Sequence, residues 1–556
     1  MKHLRGLCLL LAVFLPWGTA AAALPGHACA TAHPLATQAC IGVLREGGNA
    51  FDAAVAASAA LAVVEPTGSG LGGGGFWLLH RAADGADIFV DGRETAPAAA
   101  HPDMYLNARG EAVAKRSRDG ALAAAIPGEP AALVHLAQHY GSRPLAQLLA
   151  PAIVHAREGF EVDAKLADAF ARHWPRFSPA ARRTLGIAGR APRAGERLRQ
   201  PDLAVVLERL ARDGRAGFYE GETARLLVRG VRAAGGIWTL EDLRRYRVVE
   251  RSPLVSWFRD YRIVSAPPPS AGGLALAQVF GQLEALGVSA LHGPEFTHLL
   301  VEALRRAYRD RAAYLGDPDF VSLPLVHLAS RSYARALASS IQRDRATPSA
   351  ALPPAEPTDE GTDTTHFSVV DAQGNRVAGT LSLNLPFGSA DLAPGTGVLL
   401  NDEMDDFAAS TTASNAYGLI GSQANRIQPG KRPLSSMTPT FVEGPRGLLV
   451  LGTPGGSRII SMVLLGILEW MDGGDATAVV ARGRLHHQYL PDVLQFEPGA
   501  LSPEVLDALK ARGHALRPLD SAYGNLQAVL FDAASGRLDA AADPRGVGSA
   551  VVVAHP

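Results

Sequence analysis

The chain of 556 residues carries 53 Lys and Arg against 54 Asp and Glu, a net charge of -1, with 47% hydrophobic and 19% charged residues. Such a composition buries a large core. The near-neutral balance, without any dense Lys/Arg run, excludes an electrostatic nucleic-acid footprint and leaves small-molecule chemistry as the expectation.

Lys2, His3 and Arg5 precede an apolar run from Gly6 to Leu15 and small residues from Gly18 to Ala23. This reads as a secretory signal peptide over residues 1–23, with an apolar run too short to span a bilayer. The expectation is an exported protein, periplasmic or secreted, with no membrane span after signal removal and with Cys8 lost. Cys29 and Cys40 remain. Export permits a disulfide between them, and two buried free thiols fit the sequence equally well.

Cys29 to Thr31 reads as a short strand, and Pro34 opens a helix that closes on Gly47 and Gly48. Ala53 to Val64 reads as a second, buried helix. Gly68, Gly70 and Gly73 match G-x-G-x-x-G, but they lead into the strand-like Phe76 to His80 and not into a helix. The dipole and amide cradle for a pyrophosphate are therefore missing, and a turn permitting close backbone packing is expected instead. Arg93 lies in DGRETAP, Asp91 to Pro97, after a short apolar strand. Its guanidinium can grip a carboxylate with two parallel hydrogen bonds; an ordinary surface ion pair beside Glu94 is the plainer reading. Ala121 to Tyr333 reads as mostly helical, and Ala346 to Asp363 as an extended flexible segment.

A hairpin follows that segment. His366 to Val370 alternates apolar and polar residues, Asp371 to Asn375 holds turn residues, and Arg376 to Leu385 is apolar again. Thr364 and Thr365 open its first strand. A break before Thr364 would leave a free α-amine beside the threonine hydroxyl, uniting nucleophile and base in one residue. Such an amine titrates near pH ~7.7–8.0, suited to a general base. Ser382 and Asn384, two apart, are expected on one strand face. Asn401, Glu403, Asp405 and Asp406 gather acceptors without EF-hand spacing. Ser435 and Ser436 lack a nucleophile elbow. Gly455 and Gly456 precede an apolar helix, Ile459 to Trp470, and direct amides toward whatever sits at its N-terminus. His486-His487 lacks a spaced third ligand. No metal and no cofactor are expected.

TTHFSVVD (Thr364–Asp371), LLNDEMDDF (Leu399–Phe407), KRPLSSMTPT (Lys431–Thr440) and TPGGSRII (Thr453–Ile460) resemble, in order, the motifs of the gamma-glutamyltransferase (glutathione hydrolase) family. LGGGGF, DGRETAP and HHQYLPD extend the resemblance over nearly the whole chain. It implies an α+β fold, the four-layer αββα sandwich of N-terminal nucleophile hydrolases. It also implies self-cleavage between Asp363 and Thr364, giving a large subunit, 24–363, and a small subunit, 364–556, that form one interwoven catalytic domain.

The resemblance implies roles as well. Thr364 is the nucleophile, Ser382 orients it where the family usually has threonine, and the Gly455 and Gly456 amides form the oxyanion hole. Arg93, Ser435 and Ser436 hold the donor α-carboxylate, while Asn384, Glu403 and Asp406 hold its α-ammonium. Ala408 to Ser422 matches a lid loop, with Tyr417 as its covering aromatic. Leu381 stands where many members have tyrosine. The implied partners are a γ-glutamyl donor such as glutathione and an amino acid, a peptide or water as acceptor. A cephalosporin or glutaryl acylase of the same fold and a non-catalytic exported binding protein are the alternatives.

Overall fold

The computed structural model describes residues 23–353, 363–408 and 423–554, with the backbone alone at Asp363. The signal segment, most of the lid loop with Tyr417, and residues 354–362 lie outside the described residues.

Two large antiparallel sheets organise the molecule, and their strands are numbered here in chain order. They are β1 (Gly26–Thr31), β2 (Gly74–Arg81), β3 (Ala86–Gly92), β4 (Val249–Arg251), β5 (Leu254–Phe258), β6 (Tyr261–Ser265), β7 (Asp363–Val370), β8 (Arg376–Asn384), β9 (Thr440–Gly444), β10 (Gly447–Gly452), β11 (Gln527–Asp532), β12 (Arg537–Ala542) and β13 (Ser549–Ala554). The first sheet has the order β13-β1-β7-β8-β2-β3-β4 and the second β12-β11-β10-β9-β6-β5.

Side-chain alternation along β2 explains the layering. Trp77 and Leu79 join Val369 and Val377 in a core shared with helices α1 (Pro34–Arg45) and α2 (Ala50–Val64). Phe76 and Leu78 point the other way and join Phe441 and Leu449 of the second sheet. The second sheet is in turn covered by α3 (Gly272–Ala285), α4 (Gly293–Tyr314) and α5 (Ile459–Met471). The result is helices, sheet, sheet, helices: the four-layer α+β sandwich expected. Because β10 is buried on both faces, Leu448 to Leu451 is an unbroken apolar run.

Every residue of α2 is buried, which is why AFDAAVAASAALAVV shows no polar stripe. It begins at Ala50, three residues before the sequence reading, because Asn49 and Asp52 form a capping box: Asn49 Oδ1 accepts from Asp52 N at 2.8 Å and Asp52 Oδ2 from Asn49 N at 3.0 Å. Cys29 of β1 and Cys40 of α1 are joined in a disulfide, their Cα atoms 6.5 Å apart, which decides between the two readings left open above. The segment from Ala346 is not loose at its start: Ser349 is buried, and its hydroxyl donates to Tyr489 O at 2.6 Å. Its amide donates to Asp492 Oδ2 at 2.7 Å. Among the described residues no helix is long and apolar enough to cross a membrane.

Candidate active site

The β7–β8 hairpin sets the first part of the site. Asp371 Oδ1 accepts from the amides of Gln373 and Asn375, closing the turn and fixing the register in which Thr364 faces Ser382 across the ladder. Ser382 in turn faces Gly74 of β2. The expectation that Ser382 and Asn384 share one face needs correcting, because the register is irregular between them and Asn384 adopts φ 81°. Asparagine tolerates that left-handed backbone. Ser382 Oγ accepts from Asn384 N at 2.8 Å, and Asn384 Nδ2 donates to Asp402 O at 2.9 Å, tying the strand end to the acidic loop. Gly68 packs directly behind the nucleophile strand. A Cβ there would stand 2.8 Å from Thr364 O, so the glycine-rich turn permits close approach and not phosphate binding.

Thr364 is buried but lines a cavity of about 630 Å³ whose wall also includes Gly455, Gly456 and Arg458. Both glycines have positive φ, 138° and 56°, and lead through the 3-10 turn Gly456–Arg458 into α5. Amides at such a helix start have no intrahelical acceptor and can serve an external oxyanion. The HHQYLPD stretch braces this turn: Ser457 Oγ donates to Gln488 Oε1 at 2.6 Å, and His486 Nε2 shares that oxygen at 2.8 Å. Burial pushes the His486 imidazole down to about 3, so it is neutral at physiological pH.

Arg93 is the centre of a second group, absent from the cavity lining. It is almost wholly buried. Its Nη1 lies 2.5 Å from Glu403 Oε2 and its Nη2 2.5 Å from Asp406 Oδ2. Nη2 also donates to Leu434 O at 3.0 Å, which brings the KRPLSS segment, and with it Ser435 and Ser436, against the arginine. Ser436 Oγ accepts from Arg311 Nε at 3.3 Å, and Ser435 bridges to Ser270. Behind Arg93, Asp91 Oδ1 accepts from its amide at 3.0 Å while Asp91 Oδ2 accepts from Arg251 Nε at 2.8 Å. The two Nη donors of the guanidinium fork are thus each occupied by a carboxylate of the protein itself.

A model of the gamma-glutamyltranspeptidase family matches residues 36–553. The chain belongs to the gamma-glutamyltranspeptidase family. A glutathione hydrolase proenzyme of Pseudomonas sp. (strain A14) is 41% identical over 512 residues, covering 91% of this chain and 89% of that relative. Among solved structures, a cephalosporin acylase from Bacillus halodurans superposes with a TM-score of 0.83 at 27% identity, over 98% of this chain and 99% of that one. The Helicobacter pylori gamma-glutamyltranspeptidase gives 0.57 at 39% identity, over 58% and 93%.

Several roles in this family member escaped the sequence reading. Asn401 is a fully buried hub: its Nδ2 donates to Gly72 O at 2.6 Å and Ala125 O at 2.8 Å, and its Oδ1 accepts from Glu403 N at 3.0 Å. It therefore sets the loop that presents Glu403, and its place at the head of the acidic cluster was its only sequence signal. Asp402 accepts from Leu385 N at 3.0 Å, and burial raises its pKa well above the carboxylate range. The Thr365 hydroxyl donates to Glu65 at the end of α2. Glu94, read as an exposed ion-pair partner, is fully buried instead.

Proposed function

We propose that the protein is an exported, autoprocessing threonine hydrolase and transferase of γ-glutamyl amides such as glutathione, matured by a cut between Asp363 and Thr364 into subunits 24–363 and 364–556. In maturation the Thr364 hydroxyl attacks the Asp363 carbonyl, the acyl group shifts from nitrogen to oxygen, and water hydrolyses that ester. In turnover Thr364 Oγ attacks the donor γ-carbonyl while its α-amine takes the hydroxyl proton and passes it to the departing amine. The Gly455 and Gly456 amides receive the oxyanion, with Ser382 orienting the nucleophile. A γ-glutamyl ester forms, and water or an acceptor amine then releases the group.

The single observation that carries the substrate class is the fork of Arg93 between Glu403 and Asp406. In that fork one buried guanidinium meets two carboxylates. A donor head with both an α-carboxylate and an α-ammonium fits by partner exchange: its carboxylate takes Arg93, supported by Ser435 and Ser436, and its ammonium takes Glu403, Asp406 and Asn384. A glutaryl donor would bring a carboxylate to Arg93 with no ammonium to take its place beside Glu403 and Asp406, and losing an opposite charge in a buried site is costly. The acylase reading, favoured by the superposition with the Bacillus halodurans enzyme, is disfavoured on that ground.

The test is a donor panel. Wild type should prefer γ-glutamyl-p-nitroanilide to glutaryl-p-nitroanilide. Arg93→Ala and Asp406→Ala should each lower kcat/KM for the former by roughly thirtyfold to several thousandfold, the effect of truncating one partner of a desolvated charge pair. With the glutaryl donor, Asp406→Ala should do far less harm than Arg93→Ala. Thr364→Ala should remain one chain. A wild type that prefers the glutaryl donor would replace this reading with the acylase one.

A further inference from the structure

Part of the cavity wall beside Thr364 is built from side chains with no place in donor binding. Arg458 follows Gly456 by two residues, so the turn that presents the two amides also fixes this guanidinium. Its Nη2 donates to Gln495 Oε1 at 2.6 Å, and its guanidinium lies over the Tyr523 ring, 4.7 Å from the centroid. Both partners are uncharged. Gln495 sits in the short strand Leu494–Phe496, and its register partner in the parallel strand Leu516–Pro518 is Arg517. Arg517 is exposed, and like Arg458 it makes no ion pair among the described residues. All four side chains line the cavity that Thr364 enters.

The remaining charges of that lining do not neutralise them. Arg545 is already held by Glu497 at 2.7 Å and Asp543 at 3.1 Å. Of the carboxylates, Glu65 is engaged with the Thr365 hydroxyl and Asp163 accepts from Leu166 N at 2.9 Å as the cap of the helix Ala164–His173. Two guanidinium groups without a counter-ion among the described residues therefore flank one amide side chain, next to the glycines proposed to hold the oxyanion. Planar guanidinium pairs recognise a carboxylate through charge-assisted, often bidentate hydrogen bonds.

We propose that Arg458 and Arg517, on either side of Gln495, form a carboxylate subsite for the group beyond the scissile bond. It would hold the C-terminal carboxylate of the departing amino acid or peptide, and equally that of an incoming acceptor. The leaving amine departs from the γ-carbon along the path by which an acceptor amine arrives, so one subsite serves both. This inference rests on the γ-glutamyl reading above and names its acceptor and leaving-group class: α-amino acids and peptides with a free carboxylate.

The experiment uses the processed full-length protein and two donors, γ-glutamylalanine and its C-terminal amide, γ-glutamylalaninamide, with released glutamate as the readout. Wild type should cleave the acid with a kcat/KM roughly tenfold to a hundredfold above the amide, the range for a hydrogen bond to a charged group. Arg517→Gln and Arg458→Gln should each collapse that ratio toward one, and Arg458→Lys should keep part of it. Arg517 is exposed, so its variant remains decisive if Arg458→Gln folds poorly. Equal cleavage of acid and amide by wild type, or an undiminished ratio in the Arg517→Gln variant, would overturn the subsite alone. Cleavage of neither compound by wild type would overturn the γ-glutamyl reading and this inference with it.

Discussion

Glu94 is fully buried beside Arg93, 3.6 Å from its Nη1, and neither of its carboxylate oxygens has a hydrogen-bond partner among the described residues. Burial raises its pKa well above the ordinary carboxylate value, and the negative charge of Glu403 adds to the rise while Arg93 opposes it; Glu129 adds a smaller push upward. In the folded protein Glu94 thus keeps a proton that the unfolded chain releases near its ordinary pKa. The native state binds more protons above that pH, so this group stabilises the fold fully in acid and loses that contribution as pH rises toward its folded pKa. Glu94→Gln keeps the shape and removes the titration. Its melting temperature relative to wild type should therefore improve between pH 5 and pH 8, and a wild-type-minus-variant difference that is flat across that interval would refute the assignment. A neutral Glu94 also leaves Arg93, Glu403 and Asp406 to set the charge of the donor site. At this scale the sequence motifs named side chains that the fold brings together, since Arg93, Glu403 and Asp406 converge. They could not reveal that Arg93 pairs with both carboxylates, or that Asn401 anchors the loop, because both depend on contacts between segments some three hundred residues apart.

The two sheets come into close contact behind the nucleophile strand, at Gly452 of β10. A Cβ on Gly452 would run into the imidazole of His366 on β7. That ring is wholly buried, with Nδ1 2.8 Å from Thr380 Oγ1 and Nε2 3.1 Å from Ser368 Oγ, and burial lowers its pKa to about 3. It is a neutral spacer between the sheets and cannot yield without disturbing the strand that begins at Thr364. Gly452→Val should destabilise the protein by about 1–3 kcal/mol through overpacking, and it should slow the appearance of two chains by displacing β7. Unchanged melting together with unchanged processing would show that the sheets have room to adjust. The elements themselves were largely legible: the hairpin from its turn residues, α2 and α5 from unbroken apolar runs, and the strand after the glycine-rich turn. What was not legible was strand order, because the alternation that shows a strand has two faces does not say which neighbours flank it. The close contact of Gly452 with His366 belongs to the same class, a glycine whose necessity exists only once the sheets are stacked.

The proposed cut does not divide the molecule along any seam of its architecture. In the first sheet β7, β8 and β13 follow the cut and β1 to β4 precede it, yet the order interleaves them, with β1 between β13 and β7 and with β8 against β2. The second sheet is also shared, its four strands from after the cut joined to its two from before it by the β9–β6 ladder. Both apolar cores draw on both parts. The disulfide adds nothing across the cut, because Cys29 and Cys40 both precede it. The two pieces are therefore held without a covalent link, by ladder hydrogen bonds, buried apolar surface and ion pairs such as those of Arg93 with Glu403 and Asp406, and each by itself would expose open sheet edges and half of a core. Processed protein should give two bands on a denaturing gel run without reductant and a single particle on a native sizing column. Residues 364–556 produced alone should show no cooperative thermal transition, since β7 and β8 would lack both β1 and β2. A cooperative melt of that fragment, or separation of the two pieces on the native column, would show instead that the cut releases independent domains.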